Sequence, residues 1–192
     1  MGLNQGPIYY ETLDPPMTMP SAVHSRDPVS YVFLGVEMRI LLSSQQTGGQ
    51  FSMIEGIMPP GGDGGLHVHH REDESMHLLE GELEVTIGDK VFMLAAGESY
   101  FAPRDVPQRL RNIGSVPARA LLVTTPGGFD QFIAQAGVPL VEGMTPPVAV
   151  APTSQQIGAL LALAHEFGIE IIAPPTFGSA DPLPHTDLFG SR

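Results

Sequence analysis

From residue 29 onward the chain alternates apolar and polar positions in short runs, and each run ends at a cluster rich in Gly, Pro or Asp. A period of two places successive side chains on opposite faces of a strand, so such runs predict half-buried strands. "VSYVFLGVEMRILLS" (29–43) reads as one or two strands with Val32, Leu34, Val36, Met38 and Ile40 on one face. "FSMIEGIM" (51–58) is another, beyond the turn "QTGGQ". Further runs follow at Leu66–His70, Ser75–Leu79, Glu82–Ile87, Val91–Leu94, Ser99–Ala102, Gln108–Ile113 and Ala118–Thr124, with "GDK" at 88–90 as a hairpin turn. Many short strands with evenly spaced turn signals predict an all-β antiparallel barrel or sandwich.

The period changes after "TTPGG". "GFDQFIAQAG" (128–137) sets Phe129, Phe132, Ile133 and Ala136 at helical spacing, with Gly137 as the stop. "TSQQIGALLALAHEFG" (153–168) opens with Thr153 and Gln156 in capping-box spacing and ends at Gly168. Its apolar stripe, Ile157, Leu160, Leu161 and Ala164, is expected to pack on the outside of the barrel. "IEII" predicts a last short strand. No internal repeat appears, so the chain divides into a Pro-rich arm (1–28), one barrel (29–125) and a helical extension with a tail (126–192). The arm carries Ile8, Tyr9, Tyr10 and Leu13 and cannot build a core alone; a homodimer with the arm laid across the partner is expected. The tail, with Phe177, Leu183, Leu188 and Phe189, is expected to run back over the barrel and to act as a lid if it reaches the open end.

Composition narrows the partners. Nine Lys and Arg stand against 21 Asp and Glu, a formal net charge of −12. That balance argues against nucleic acid, whose binding rests on neutralising phosphates, and equally against an anionic membrane surface. There is no cysteine, so disulfide and thiolate chemistry are excluded. The first residues, "MGLNQGPIYYETLDPP", lack the basic start and apolar core of a signal peptide, and a cytoplasmic protein is expected.

The candidate chemistry lies in "GGDGGLHVHHREDESMHLLEGEL" (61–83). On a strand His67 and His69 share a face while His70 points the other way. A turn through Arg71–Asp73 would bring Glu74 back beside the two imidazoles. Two imidazoles and a carboxylate on one face make a facial site for a divalent transition metal. Glu72 and Asp73 read as solvated turn acids, and His77 as a structural histidine facing away from Glu74. Arg109 and Arg111 have opposite parity to Gln108 and are expected to face outward. Leu110, Met76 and Leu78 are candidates for the barrel lining. His165 reads as a surface histidine, and His24 and His185 lie in the arms.

The spacing Gly61, His67, His69, Glu74, Gly81, with five, one, four and six residues between, resembles the first cupin motif at every fixed position. "GESYFAPRDVPQRLRN" (97–112) resembles the second, through Gly97, Pro103 and Asn112. Asp105 stands where that family has Gly, and Gln108 where it has a fourth ligand, His. The resemblance covers about residues 29–125 and implies a single antiparallel jelly-roll barrel holding one divalent first-row metal: Fe, Ni, Mn, Co or Zn. The helix after the barrel resembles that of quercetin-dioxygenase-like single cupins. The implied ligands are His67, His69 and Glu74, with Gln108 binding weakly, through water or not at all. The implied activity is a metal-dependent dioxygenase acting on a small aromatic or enolisable molecule, flavonol- or polyketide-like, with Glu74 also able to act as a base. Two alternatives stay open: a non-oxidative isomerase, cyclase or lyase, and a non-catalytic cupin that binds a small ligand.

Overall fold

A computed structural model describes residues 28–141 and 153–176. The alternating runs form β1 (Val29–Phe33), β2 (Val36–Leu42), β3 (Ser52–Met58), β4 (Leu66–His69), β5 (Asp73–Glu80), β6 (Glu82–Ile87), β7 (Lys90–Ala95), β8 (Ser99–Ala102), β9 (Gln108–Arg111) and β10 (Ala118–Thr125). Helix α1 (Phe129–Ala136), strand β11 (Val138–Leu140), helix α2 (Ser154–Glu166) and strand β12 (Ile169–Ala173) follow. Residues 1–27 of the N-terminal arm, residues 177–192 of the tail expected to form a lid, and with them His24 and His185, lie outside the described residues. Among the described residues no helix is long and apolar enough to cross a membrane.

The strands form two antiparallel sheets, one in the order β11-β1-β2-β3-β10-β5-β8 and the other in the order β12-β4-β9-β6-β7. Their inner faces close on each other as a jelly roll. Ile54, Leu78 and Leu122 meet Leu83, Val85, Leu94 and Leu110 in one buried cluster. The period-two reading gives this result directly, since each inward residue is flanked by two that are more exposed. β9 and β10 show it most regularly.

Three readings need correction. Leu34 is not a strand residue: Leu34 and Gly35 both take positive φ and make the two-residue turn of the β1–β2 hairpin. β11 goes unseen in the sequence because it is short and contains Pro139. It pairs with β1 at the sheet edge, where a missing N–H is tolerated. In α2 the capping box is present, but the buried stripe is rotated. Leu160, Leu163, Ala164 and Phe167 pack on the core, while Ile157 and Leu161 are 36% and 44% exposed. Phe167 decides the rotation: it follows the helix and packs on Phe132 with ring centroids 5.7 Å apart.

The loop leading into β4 is fixed by one buried carboxylate. Asp63 accepts hydrogen bonds from Gly65 N (2.8 Å), from Arg109 Nε (3.0 Å) and from the N and Oγ1 of Thr176 (3.0 and 2.8 Å). Burial alone would raise its pKa, but Arg109, Thr176 and Gly65 together outweigh burial and hold it at about 2, against 3.8 when free. A depressed carboxylate stabilises the fold fully above its free pKa and loses that contribution as pH falls through its folded value. Acid unfolding is therefore expected to remove on the order of 2 kcal/mol through Asp63 between about pH 4 and pH 2. Asp63→Asn should flatten that part of the stability–pH curve, measured by urea titration at each pH.

Candidate metal centre

β4 carries His67 and His69 on one face, with ring centroids 5.1 Å apart. Two strands hold β4 in place. β9 sets Gln108 directly opposite His67, and β12 sets Ile169 and Ile171 opposite His69 and His67. Glu74 comes from β5, which belongs to the other sheet. The corner at 70–72 thus carries the chain from one sheet to the other. His67, His69 and Glu74 each offer one donor atom, all within 4.8 Å of one another.

Each imidazole is oriented by its far nitrogen. His67 Nδ1 lies 3.1 Å from the Gly65 carbonyl oxygen, and His69 Nδ1 lies 2.9 Å from Glu72 Oε2. With an acceptor at Nδ1, that nitrogen carries the proton and Nε2 keeps its lone pair for a ligand. Burial and the neighbouring His69 lower the His67 pKa to about 4, against the opposing pull of Glu74 and the Gly65 carbonyl. A neutral His67 is the form that can donate to a cation. Glu74 is fixed by Tyr100, whose hydroxyl donates to Glu74 Oε1 at 2.5 Å. Burial first, and then Glu74, raise the Tyr100 pKa well above its usual value, so the hydroxyl stays a donor.

Two buried polar atoms here have no hydrogen-bond partner among the described residues: His69 Nε2 and Gln108 Oε1. Buried polar atoms are almost always paired, and each exception asks for a missing partner. His69 Nε2 stands 3.6 Å from Glu74 Oε2, beyond hydrogen-bond reach. Two atoms each about 2.1 Å from one tetrahedral ion stand about 3.4 Å apart. The donor set and its spacing therefore fit a divalent first-row metal.

Glu72 is the residue that sequence reasoning misjudged. It is only 4% exposed, not solvated, because the corner between the sheets folds it against His69 and beneath Gly128. A side chain at Gly128 would strike Glu72 Oε1. Tyr100 was missed entirely; its alternation within β8 was the only signal. Asp73 is tied to Arg104 at 2.8 Å. His70 is exposed between Asp105 and Glu170, His77 bonds Ser99, and Arg109 and Arg111 pair with Asp63 and Glu84 on the outer face. His165 is exposed. Glu72→Ala is expected to weaken metal affinity by about 10–100-fold, with Glu72→Gln less affected, as measured by competition with a chromogenic chelator.

His67 and Glu74 open onto a cavity of about 110 Å³ inside the barrel. Its remaining lining is apolar or glycine and includes Met76 and Leu110; Gln108 and Leu78 do not line it. Phe129 and Phe132 of α1 close one side, and Phe129 meets His69 edge-on at 5.1 Å.

Residues 55–124 match the cupin domain family. That match runs from β3 to β10, and over it the barrel is similar to cupin domains. The chain is 32% identical over 75 residues to an uncharacterised protein of Methanocaldococcus jannaschii, covering 39% of this chain and 60% of that one. It is 31% identical over 93 residues to the polyketide synthase CurC of Streptomyces cyaneus, covering 48% of this chain and 60% of that one. The chain thus spans less than two thirds of either relative. Among solved structures, a predicted oxalate decarboxylase of Thermotoga maritima aligns with a TM-score of 0.49 at 25% identity, over 55% of this chain and 99% of that one.

Proposed function

We propose that this chain is a cupin and a metal-dependent enzyme, a dioxygenase acting on a small aromatic or enolisable compound. The observation that carries the reading is the open triad of His67, His69 and Glu74, with an unpartnered His69 Nε2, at the wall of an otherwise apolar cavity. Bound there, a divalent first-row metal supplies Lewis acidity and, where redox-active, electrons for dioxygen. His67 and His69 would hold it through Nε2 and Glu74 through its carboxylate. Released from that role, the Glu74 carboxylate would take the proton from the carbon beside a substrate carbonyl and leave the electron pair as the enolate. Tyr100 stabilises and orients the Glu74 carboxyl through Oε1, and Phe129 and Phe132 keep water from that side. Gln108 offers a neutral amide oxygen in place of a fourth imidazole and leaves that position weakly held.

The likeness to a polyketide synthase supports an enolisable substrate and favours a second reading, a non-oxidative cyclase or isomerase that uses the same Glu74–Tyr100 pair. Metal analysis of the purified chain combined with oxygen-electrode assays on small diketones and phenols tests both. One equivalent of metal with oxygen uptake is expected for the first reading. Turnover without oxygen uptake would replace it with the second, absence of metal after loading would remove the first, and absence of any turnover would remove both. Gln108→His is expected to tighten metal binding; a weaker site would mean that the amide is already a ligand or that the space is closed.

A further inference from the structure

We infer that the cavity selects a small, uncharged, largely apolar molecule, on the order of six or seven non-hydrogen atoms, with its oxygen turned toward His67 and Glu74, and that it rejects anions, sugars and three-ring compounds. This rests on the reading of the barrel as a small-molecule site and adds what that site admits. Size comes first. A cavity of about 150 Å³ takes benzene, and this one is about 110 Å³. A single ring or a short diketone is the scale that fits within it.

Charge decides the rest. Among the described residues, His67 and Glu74 are the only ionisable side chains along the cavity, and no Lys or Arg lines it. Arg104, Arg109, Arg111 and Arg119 are each paired with a carboxylate elsewhere. A carboxylate or phosphate entering would lose its water and find no counterion, and it would meet the Glu74 carboxyl. A sugar would bury hydroxyls against Met, Leu and Phe with nothing to accept or donate. An organic cation would exchange its hydration for apolar walls and one carboxylate whose Oε1 already accepts from Tyr100. Within the admitted class, shape is loosely read: Met38, Met58 and Met76 all line the space, and unbranched thioethers adapt to what they touch.

Those methionines also report on entry. The full chain, labelled with ¹³C at the Met methyls and freed of metal, is titrated with toluene, acetylacetone, benzoate, oxalate, glucose 6-phosphate and flavone. Metal is left out because oxalate and acetylacetone would chelate it and mask the selectivity of the walls. Toluene and acetylacetone are expected to shift Met38, Met58 and Met76 while leaving Met93, which is exposed on β7, unchanged. Benzoate should require at least about tenfold more, and oxalate, glucose 6-phosphate and flavone should shift none of the three. Benzoate, glucose 6-phosphate or flavone saturating the cavity methyls as readily as toluene overturns the inference, as does toluene moving none of them. Metal uptake is measured separately on the same protein. Toluene entry without metal uptake upholds the inference while removing the proposed metal chemistry. Metal uptake with equal entry of charged probes removes the inference alone.

Discussion

Replacing His69 by alanine is expected to reduce bound metal from about one equivalent to near zero, and His67→Ala to do the same. Loss of a partner that merely orients a ligand costs about 10–100-fold in affinity, so loss of the ligand itself should exceed about 100-fold. The two imidazoles cannot replace each other, because each is aimed by its own acceptor, Gly65 O for His67 and Glu72 for His69. The variants should still fold, since the apolar cluster lies on both sheets and does not depend on these side chains. Stability gives a second readout. Metal at a hundredfold over its Kd should stabilise the wild-type chain by about 2.7 kcal/mol and leave both variants unmoved. Full metal occupancy in both variants would sink the assignment of the centre.

Phe132→Ala is expected to cost about 3–5 kcal/mol, the largest stability loss anticipated here from a single truncation. Phe132 is 2% exposed and joins three elements. It meets Phe33 of β1 edge-on at 5.3 Å, stacks with Phe129 of α1 at 5.9 Å, and packs on Phe167 after α2 at 5.7 Å. Removing the ring leaves a void next to an existing cavity, so collapse of the neighbours cannot readily fill it. Urea unfolding measures the loss through a lower midpoint at unchanged slope. A loss under about 1 kcal/mol would show that α1 and α2 lie outside the cooperative core. Because Phe129 neighbours both Phe132 and His69, the same variant should also loosen the metal centre, with a smaller effect than loss of a ligand.

The sequence by itself determined the strands and the meeting of His67, His69 and Glu74, for reasons that are local. Alternation with period two is a property of each strand, and β6 and β8 were read with the bounds they have. His67 and His69 share a face because two residues on one strand must, and the flanking glycines and Glu74 are legible as fixed spacings. The Thr153–Gln156 cap is equally local and is present as read. Tertiary structure decided what depends on neighbours distant in the chain. Glu72 reads as a turn acid from its surroundings in sequence, and only the crossing from one sheet to the other buries it against His69. Tyr100 reaches Glu74 because β8 pairs with β5, a register that no spacing in the sequence reveals. α2 shows the same limit: two overlapping apolar stripes are possible on it, and Phe167, held by Phe132, selects between them. β12 reaches the site only by pairing with β4, about a hundred residues earlier, so the strand bearing the two histidines is braced by the extension. Side-chain periodicity is written residue by residue, whereas burial and pairing are free energies of the whole assembly and are fixed only when the two sheets close.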